Sequence, residues 1–331
     1  MKQFIFICIT FFSAWIWQAE AQSEAPRTFR EAKITLKKHV FHDQNRNNGS
    51  GDLYCGCSWE WTGESGGRMN LGSCGYESRS RTERANRMEW EHIVPASWFG
   101  RQLQCWQNGG RENCQSVDPL FSAMEADMHN LYPAVGEVNG DRSDFSAFIL
   151  PASQKSEYGQ CPTKVDFKSR VVDPRPEVRG LIARVHFYMA GRYNLRLSDQ
   201  QQRVLAAWDR QYPPTAWEVE RDRRVARFMG TSNPYVTRQK VWGQQSNYVY
   251  PNPVNVNDRR PSSAPSVAHQ SAPVRQTSSN DAPIYGNRSS GIYHLRGVCP
   301  GYDKINPNNR VPFVDEQTAQ NAGYRKAGNC K

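Results

Sequence analysis

The chain has 331 residues, nine cysteines and a formal net charge of +10. That length can bury a full apolar core in one large domain or two smaller ones, and no stretch after the N-terminal apolar run is long enough to span a bilayer. The excess of Arg and Lys suits a polyanion (nucleic acid, anionic lipid or acidic glycan) without choosing among them.

Residues 1–21 read as a secretory signal. Lys2 precedes the apolar run from Phe4 to Trp17, and Ala19-Glu20-Ala21 supplies a small-x-small cleavage pattern, with a mature start near Gln22. Loss of Cys8 leaves Cys55, Cys57, Cys74, Cys105, Cys114, Cys161, Cys299 and Cys330. An even set in an exported chain points to disulfides. Zinc is the rival at Cys55-Gly56-Cys57, but that gap is shorter than zinc ligands favour. The pairing stays open.

From residue 25 the apolar residues Phe29, Ala32, Leu36 and Val40 recur at helical spacing, which predicts an amphipathic helix with those four in the core. A Gly- and Asn-rich loop follows, then a Gly-, Ser- and Arg-rich segment over 63–87. Arg87-Met88-Glu89-Trp90-Glu91-His92-Ile93-Val94 reads as a strand ended by Pro95. In a regular strand Glu91 and His92 face opposite ways. A twist there would bring both to one phosphate, the acid holding a cation and the imidazole taking a proton from water. The plainer alternative is an exposed histidine on an edge strand, because one pair is not a site.

A short helix is expected over 96–104, with Ser97 helping to start it. Cys105 to Cys114 encloses Asn108-Gly109-Gly110-Arg111, where two glycines permit close backbone approach and Arg111 is a candidate phosphate clamp or a solvated loop residue. Residues 125–143 are dense in Asp, Glu, Asn, His and Arg. A hard cation takes such oxygen ligands, although single asparagines also serve as turns and caps. Three apolar stripes over 177–230 predict helices. His186 lies within one of them as a core histidine, and Arg221, Arg223, Arg224 and Arg227 form a basic face read as solvated. Residues 251–283 hold six prolines among Ser, Asn and Ala and read as a disordered linker. Residues 284–331 regain aromatics and two cysteines and read as a small separate module.

Across residues 28–238 the sequence resembles the bacterial endonuclease I family of periplasmic or secreted nucleases. The likeness runs through Tyr54-Cys55-Gly56-Cys57, Glu89-Trp90-Glu91-His92, Cys105-Trp106, Asp127-Met128-His129-Asn130-Leu131, Gly136-Glu137-Val138-Asn139-Gly140-Asp141-Arg142, Lys164-Val165-Asp166-Phe167 and Glu220-Arg221-Asp222. The resemblance implies an α+β fold, mainly helical around a ββα-metal finger, over residues 22–250. It implies cutting of DNA, and often RNA, with little sequence preference and 5′-phosphate ends. His92 matches the general base, Glu91 and Asn139 the ligands of one Mg²⁺ (for which Ca²⁺ or Mn²⁺ can substitute), and Arg111 an arginine on the phosphate. Asn130 matches an asparagine that braces the base-bearing loop, and Glu125 and Asp127 support these groups from behind. Val219 and Lys240 stand where family members often carry a further Cys pair.

The tail resembles the small metal-binding module of the Ada DNA-repair protein, with His294, Cys299 and Cys330 at three of its four ligand places and Ala327 at the fourth. A Cys299–Cys330 disulfide is preferred to zinc there. The expectation is an exported, monomeric, Mg²⁺-dependent endonuclease that acts on DNA without a membrane partner. The rivals are a catalytically silent DNA-binding protein and a cell-wall hydrolase, which would need an acid pair or zinc triad not found here. Should His92 fail as base, His129 is next.

Overall fold

The computed structural model describes residues 25–46, 49–251, 283–287, 290–313, 316–321 and 324–330. The signal segment and nearly all of the expected linker lie outside the described residues. The contacts divide the chain into two compact units, with the boundary between Arg260 and Pro261.

In the first unit Thr28 caps α1 (Phe29–Thr35) by accepting the Glu31 N–H, and the helix continues as wider π-type turns over Leu36–Val40. Ala32, Leu36 and Val40 are buried as the spacing predicts, whereas Phe29 is half-exposed. Strands β1 (Ser58–Thr62) and β2 (Gly66–Asn70) form a hairpin; α2 (Thr82–Ala85) leads into β3 (Arg87–His92). Four short helices follow: α3 (Ala96–Gly100), α4 (Gln104–Gln107), α5 (Gly110–Val117) and α6 (Pro119–Glu125). A 3₁₀ turn, Met128–Asn130, then opens β4 (Leu131–Val135), which runs directly into α7 (Gly136–Arg142).

The sheet order is β1-β2-β3-β4, antiparallel throughout, with Glu91 opposite Tyr132 and His92 opposite Leu131. Pro133 is tolerated because β4 is an edge strand. A three-stranded sheet is built from β5 (Ser146–Ala147), β6 (Lys164–Asp166) and β7 (Val171–Asp173). Then come α8 (Pro176–Tyr193), α9 (Asp199–Gln211), started by a Ser198–Gln201 capping box, and α10 (Ala216–Met229).

Helix α8 is buried around most of its surface, so its polar groups need internal partners. Arg184 finds them in Asp209 and Glu218, and His186 in the Ile182 carbonyl. The expected solvated basic face of α10 is corrected at two positions. Arg221 is buried and donates to the carbonyls of Met128, His129 and Leu131, while Arg224 pairs with Asp43 and Glu220. A stripe of charge in a sequence does not reveal that an unpaired turn of carbonyls waits opposite it.

The disulfides are Cys55–Cys161, Cys57–Cys74 and Cys105–Cys114 in this unit. The second unit holds the sheet β10-β8-β9-β11, made of β8 (Ile284–Asn287), β9 (Ile292–Leu295), β10 (Arg310–Phe313) and β11 (Arg325–Lys326), with α11 (Glu316–Asn321) packed on it. Cys299–Cys330 closes this unit, and His294 brings a ring nitrogen within 4.8 Å of both sulfurs. Among the described residues no helix is long and apolar enough to cross a membrane.

Candidate active site

An open cleft of about 470 Å³ is lined by Glu91, His92, Arg111, Asn139 and Arg142, with Phe29, Trp90 and Trp106 as its apolar walls. The cleft forms where β3 stops. Pairing stays regular through His92, three residues before Pro95, and then the backbone is taken over by side chains. Arg142 donates to the carbonyls of His92 and Ile93 at 2.8 and 2.5 Å. Asn130 accepts from the Val94 N–H at 2.7 Å and donates to the Val94 carbonyl at 3.0 Å. Consecutive residues of opposite facing therefore both reach the cavity, because it wraps the end of the strand.

His92 is only 8 % exposed. Its Nε2 lies 2.9 Å from the Glu125 carbonyl, which accepts only from a protonated ring nitrogen. The bond fixes the tautomer and leaves Nδ1 with the lone pair. Burial, joined by the fields of Arg111, Arg142 and Lys33, holds the imidazole down to about 3 against the pull of that carbonyl. At neutral pH the ring is uncharged and able to accept a proton.

Glu91 Oε1 accepts from the Tyr54 hydroxyl at 2.5 Å and from Arg142 at 2.6 Å, which leaves Oε2 uncommitted to either. Burial works against the carboxylate charge, and the Arg142 guanidinium, itself held above its ordinary value by Glu91, works for it. Asn139, on α7, donates its amide N–H to Glu89 Oε2 at 2.9 Å, and Glu89 is held in turn by Arg84. The asparagine's carbonyl oxygen is thereby directed away from Glu89. Two hard oxygen donors, a carboxylate and an amide, thus line one cleft, a donor set that suits a hard divalent cation.

Arg111 begins where Gly109 and Gly110 take positive φ angles of 146° and 68°, a conformation that lets α5 start directly after the turn. Its Nε donates to Glu125 at 2.6 Å, and the residue's side chain remains 44 % exposed. Glu125 also accepts from Gln115, so one buried residue places the base through its carbonyl and the arginine through its carboxylate. Asp127 has a different place. It caps the 3₁₀ turn at the His129 N–H and accepts from Tyr188 and Tyr193 of α8, behind the cleft rather than in it. His129 is buried, with Nε2 on the Thr231 carbonyl and Nδ1 3.5 Å from Asp222, so it does not reach the cavity. Ser97 does not cap α3; its hydroxyl donates to Asp144 at 3.3 Å.

Phe29, expected in the core, instead packs its ring 4.7 Å from that of His92 and lines the cleft. Arg142 went unassigned in the sequence. An arginine three residues after the candidate ligand Asn139 is the signal the sequence offers, but nothing in the chain order says that it is buried or which carboxylate it meets.

Residues 28–240 match the family model described as Endonuclease I. The chain belongs to the Endonuclease I family. Its similar proteins include an extracellular deoxyribonuclease of Aeromonas hydrophila, 46 % identical over 68 % of this chain and 95 % of the relative. A periplasmic deoxyribonuclease of the same organism is 46 % identical over 66 % of this chain and 89 % of its own length. An extracellular endonuclease of Pseudomonas fluorescens biotype A is 33 % identical over 65 % and 89 %. The cleft residues from Phe29 to Asp144 all fall inside the Endonuclease I match, whereas the second unit lies wholly beyond it. The protein is an endonuclease by family, and its mixed α/β, disulfide-bonded nuclease unit accords with that membership.

Proposed function

We propose that the protein is an exported, divalent-metal-dependent endonuclease that hydrolyses phosphodiester bonds of DNA, and of RNA, with little sequence preference and leaves 5′-phosphate ends. The observation that carries this reading is the neutral His92, anchored at Nε2 with Nδ1 free, in one cleft with Glu91, Asn139 and Arg111.

In this mechanism His92 Nδ1 takes a proton from the attacking water, and the Glu125 carbonyl stabilises the imidazolium by accepting the Nε2 proton bond. Arg111, held through Nε, keeps its terminal nitrogens for a phosphate oxygen, so charge developing on phosphorus meets a fixed cation. Glu91 and Asn139 would hold Mg²⁺, with Ca²⁺ or Mn²⁺ as substitutes. When bound, that ion supplies charge stabilisation to the leaving 3′ oxygen. Arg142 and Tyr54 fix the Glu91 carboxylate, and Glu89 fixes the Asn139 amide. Asn130 keeps the 92–94 turn in place. Strand pair β3–β4 followed by α7 supports a ββα-metal reading of this site.

Contacts that go mainly to phosphates carry no sequence information, which accounts for the broad preference. The relatives named extracellular and periplasmic, together with the expected signal, support export. Residues 1–21 are assigned as signal, 22–250 as nuclease, 251–283 as linker and 284–331 as an Ada-like accessory module, with the chain monomeric and DNA its partner. Plasmid nicking by oxidised protein, in Mg²⁺ and in EDTA, beside His92→Ala, tests the reading. Metal-dependent cutting lost in the variant supports it; cutting that survives in the variant removes His92 as base, and no cutting by folded wild-type protein favours a silent binding protein.

A further inference from the structure

Lys33 has no role in the mechanism above. It stands one turn after Phe29 on α1, with its ammonium 4.5 Å from the centre of the Phe29 ring. The Arg111 guanidinium approaches the same ring at 5.7 Å, and the ring itself lies against His92. One aromatic side chain on the cleft wall thus gathers the imidazole and two cations.

Among the described residues the Lys33 ammonium has no hydrogen bond or ion pair, only that ring contact. The acids that face it are engaged elsewhere, Glu125 by Arg111 and Gln115, and Glu64 by Arg30. Burial and the charges of Arg111 and Arg30 all disfavour its ammonium, with Glu125 and Glu64 pulling the other way. Its neighbour on the next turn differs. Lys37 donates to the Gly63 carbonyl at 2.7 Å. A half-buried lysine held beside an arginine, with no anion of its own, is a structural cost unless an anion arrives from outside. Arg111 is already directed at the reacting phosphate by Glu125, so the second cation is left for another charge on the same polymer.

We propose that Lys33 is a substrate-binding residue that engages a phosphate flanking the scissile one, so that the cleft grips two phosphates of one strand. The inference rests on the phosphodiesterase reading of the cleft. The cation–aromatic contact holds the Lys33 ammonium against a ring that lines the cleft, which lowers the ordering needed when the polymer binds.

The test compares wild type with Lys33→Met and Lys33→Arg, all checked for folding by thermal melting, and with Lys33→Gln should the Met variant misfold. Binding of a labelled DNA duplex is measured by anisotropy in EDTA over a range of salt, and cutting is measured in Mg²⁺. Removing one phosphate contact should weaken binding about three- to tenfold and lower the salt slope by about one. KM should rise while kcat is kept, and Lys33→Arg should restore both binding and slope. Unchanged affinity and slope overturn the proposal, as does a fall in kcat with KM unchanged, which would place Lys33 at the reacting phosphate. Wild-type protein that binds but never cuts defeats the hydrolase reading while leaving the slope comparison valid. A duplex that is neither bound nor cut overturns both.

Discussion

The nuclease unit buries charge in two places, and they are finished differently. Around α8 the Arg184 guanidinium meets Glu218 through Nε and Nη2, and Asp209 and the Tyr212 carbonyl through Nη1. Asp209 also receives Arg238. Every nitrogen of the Arg184 guanidinium is engaged. At the end of β3 each group is secured on one side only: His92 through Nε2, Arg111 through Nε, Asn139 through its amide nitrogen, Glu91 through Oε1. The same hydrogen-bonding physics gives a closed scaffold in one region and a set of aimed, unspent atoms in the other. Burial of charge alone does not mark a site; a half-used hydrogen-bonding inventory facing a cavity does.

Changes in the two regions should separate activity from stability. The largest effect is expected at the cleft: His92→Ala should lower kcat by about 10²- to 10⁴-fold, with the melting temperature close to that of wild type. Equal losses of fold and activity would remove the distinction. Arg184→Met should do the reverse, because it strands Glu218 and leaves Asp209 with Arg238 alone. A loss of about 3–5 kcal/mol in denaturant titration is expected, with kcat per folded molecule unchanged.

His186 sharpens the scaffold side. Burial first, against the pull of the Ile182 carbonyl, holds it at about 4, below its ordinary 6.5. The unfolded chain takes up that proton between these values and the folded chain does not, so stability falls as pH drops from 6.5 towards 4. Removing that titration in His186→Leu should flatten the urea-midpoint profile over this window by about 3 kcal/mol. A profile parallel to wild type would mean that the ring titrates freely. The smallest effect belongs to the boundary between regions. Asn130→Ala loses both bonds to Val94 and should cost about 1–3 kcal/mol, and it should lower kcat more than a change of equal cost near α8.

The sequence carried much of the site and little of its support. Glu91, His92, Arg111 and Asn139 come from three separate stretches, and the structure brings all four to one cleft. Helical periodicity in 177–230 read well because apolar stripes report burial directly. It failed at Phe29 and Arg221 for one reason: spacing tells which face of a helix is covered, not what covers it. Phe29 packs against an imidazole at the cleft wall, and Arg221 faces three carbonyls lying 90 to 93 residues away in sequence. Glu125 was expected only as support, yet its carbonyl holds His92 and its carboxylate holds Arg111. A main-chain contact of that kind leaves no trace in residue type.

Tyr54 sits next to Cys55, whose bond to Cys161 closes a loop spanning 106 residues, and the same tyrosine's hydroxyl holds Glu91. Asp52 gathers the N–H groups of Tyr54, Cys55 and Cys57 and so ties this crosslinked corner to the carboxylate. Closing a loop of that length removes about 5 kcal/mol of freedom from the unfolded chain in the entropic account. A newly made chain with its thiols still reduced lacks that constraint at the corner on which Glu91 depends.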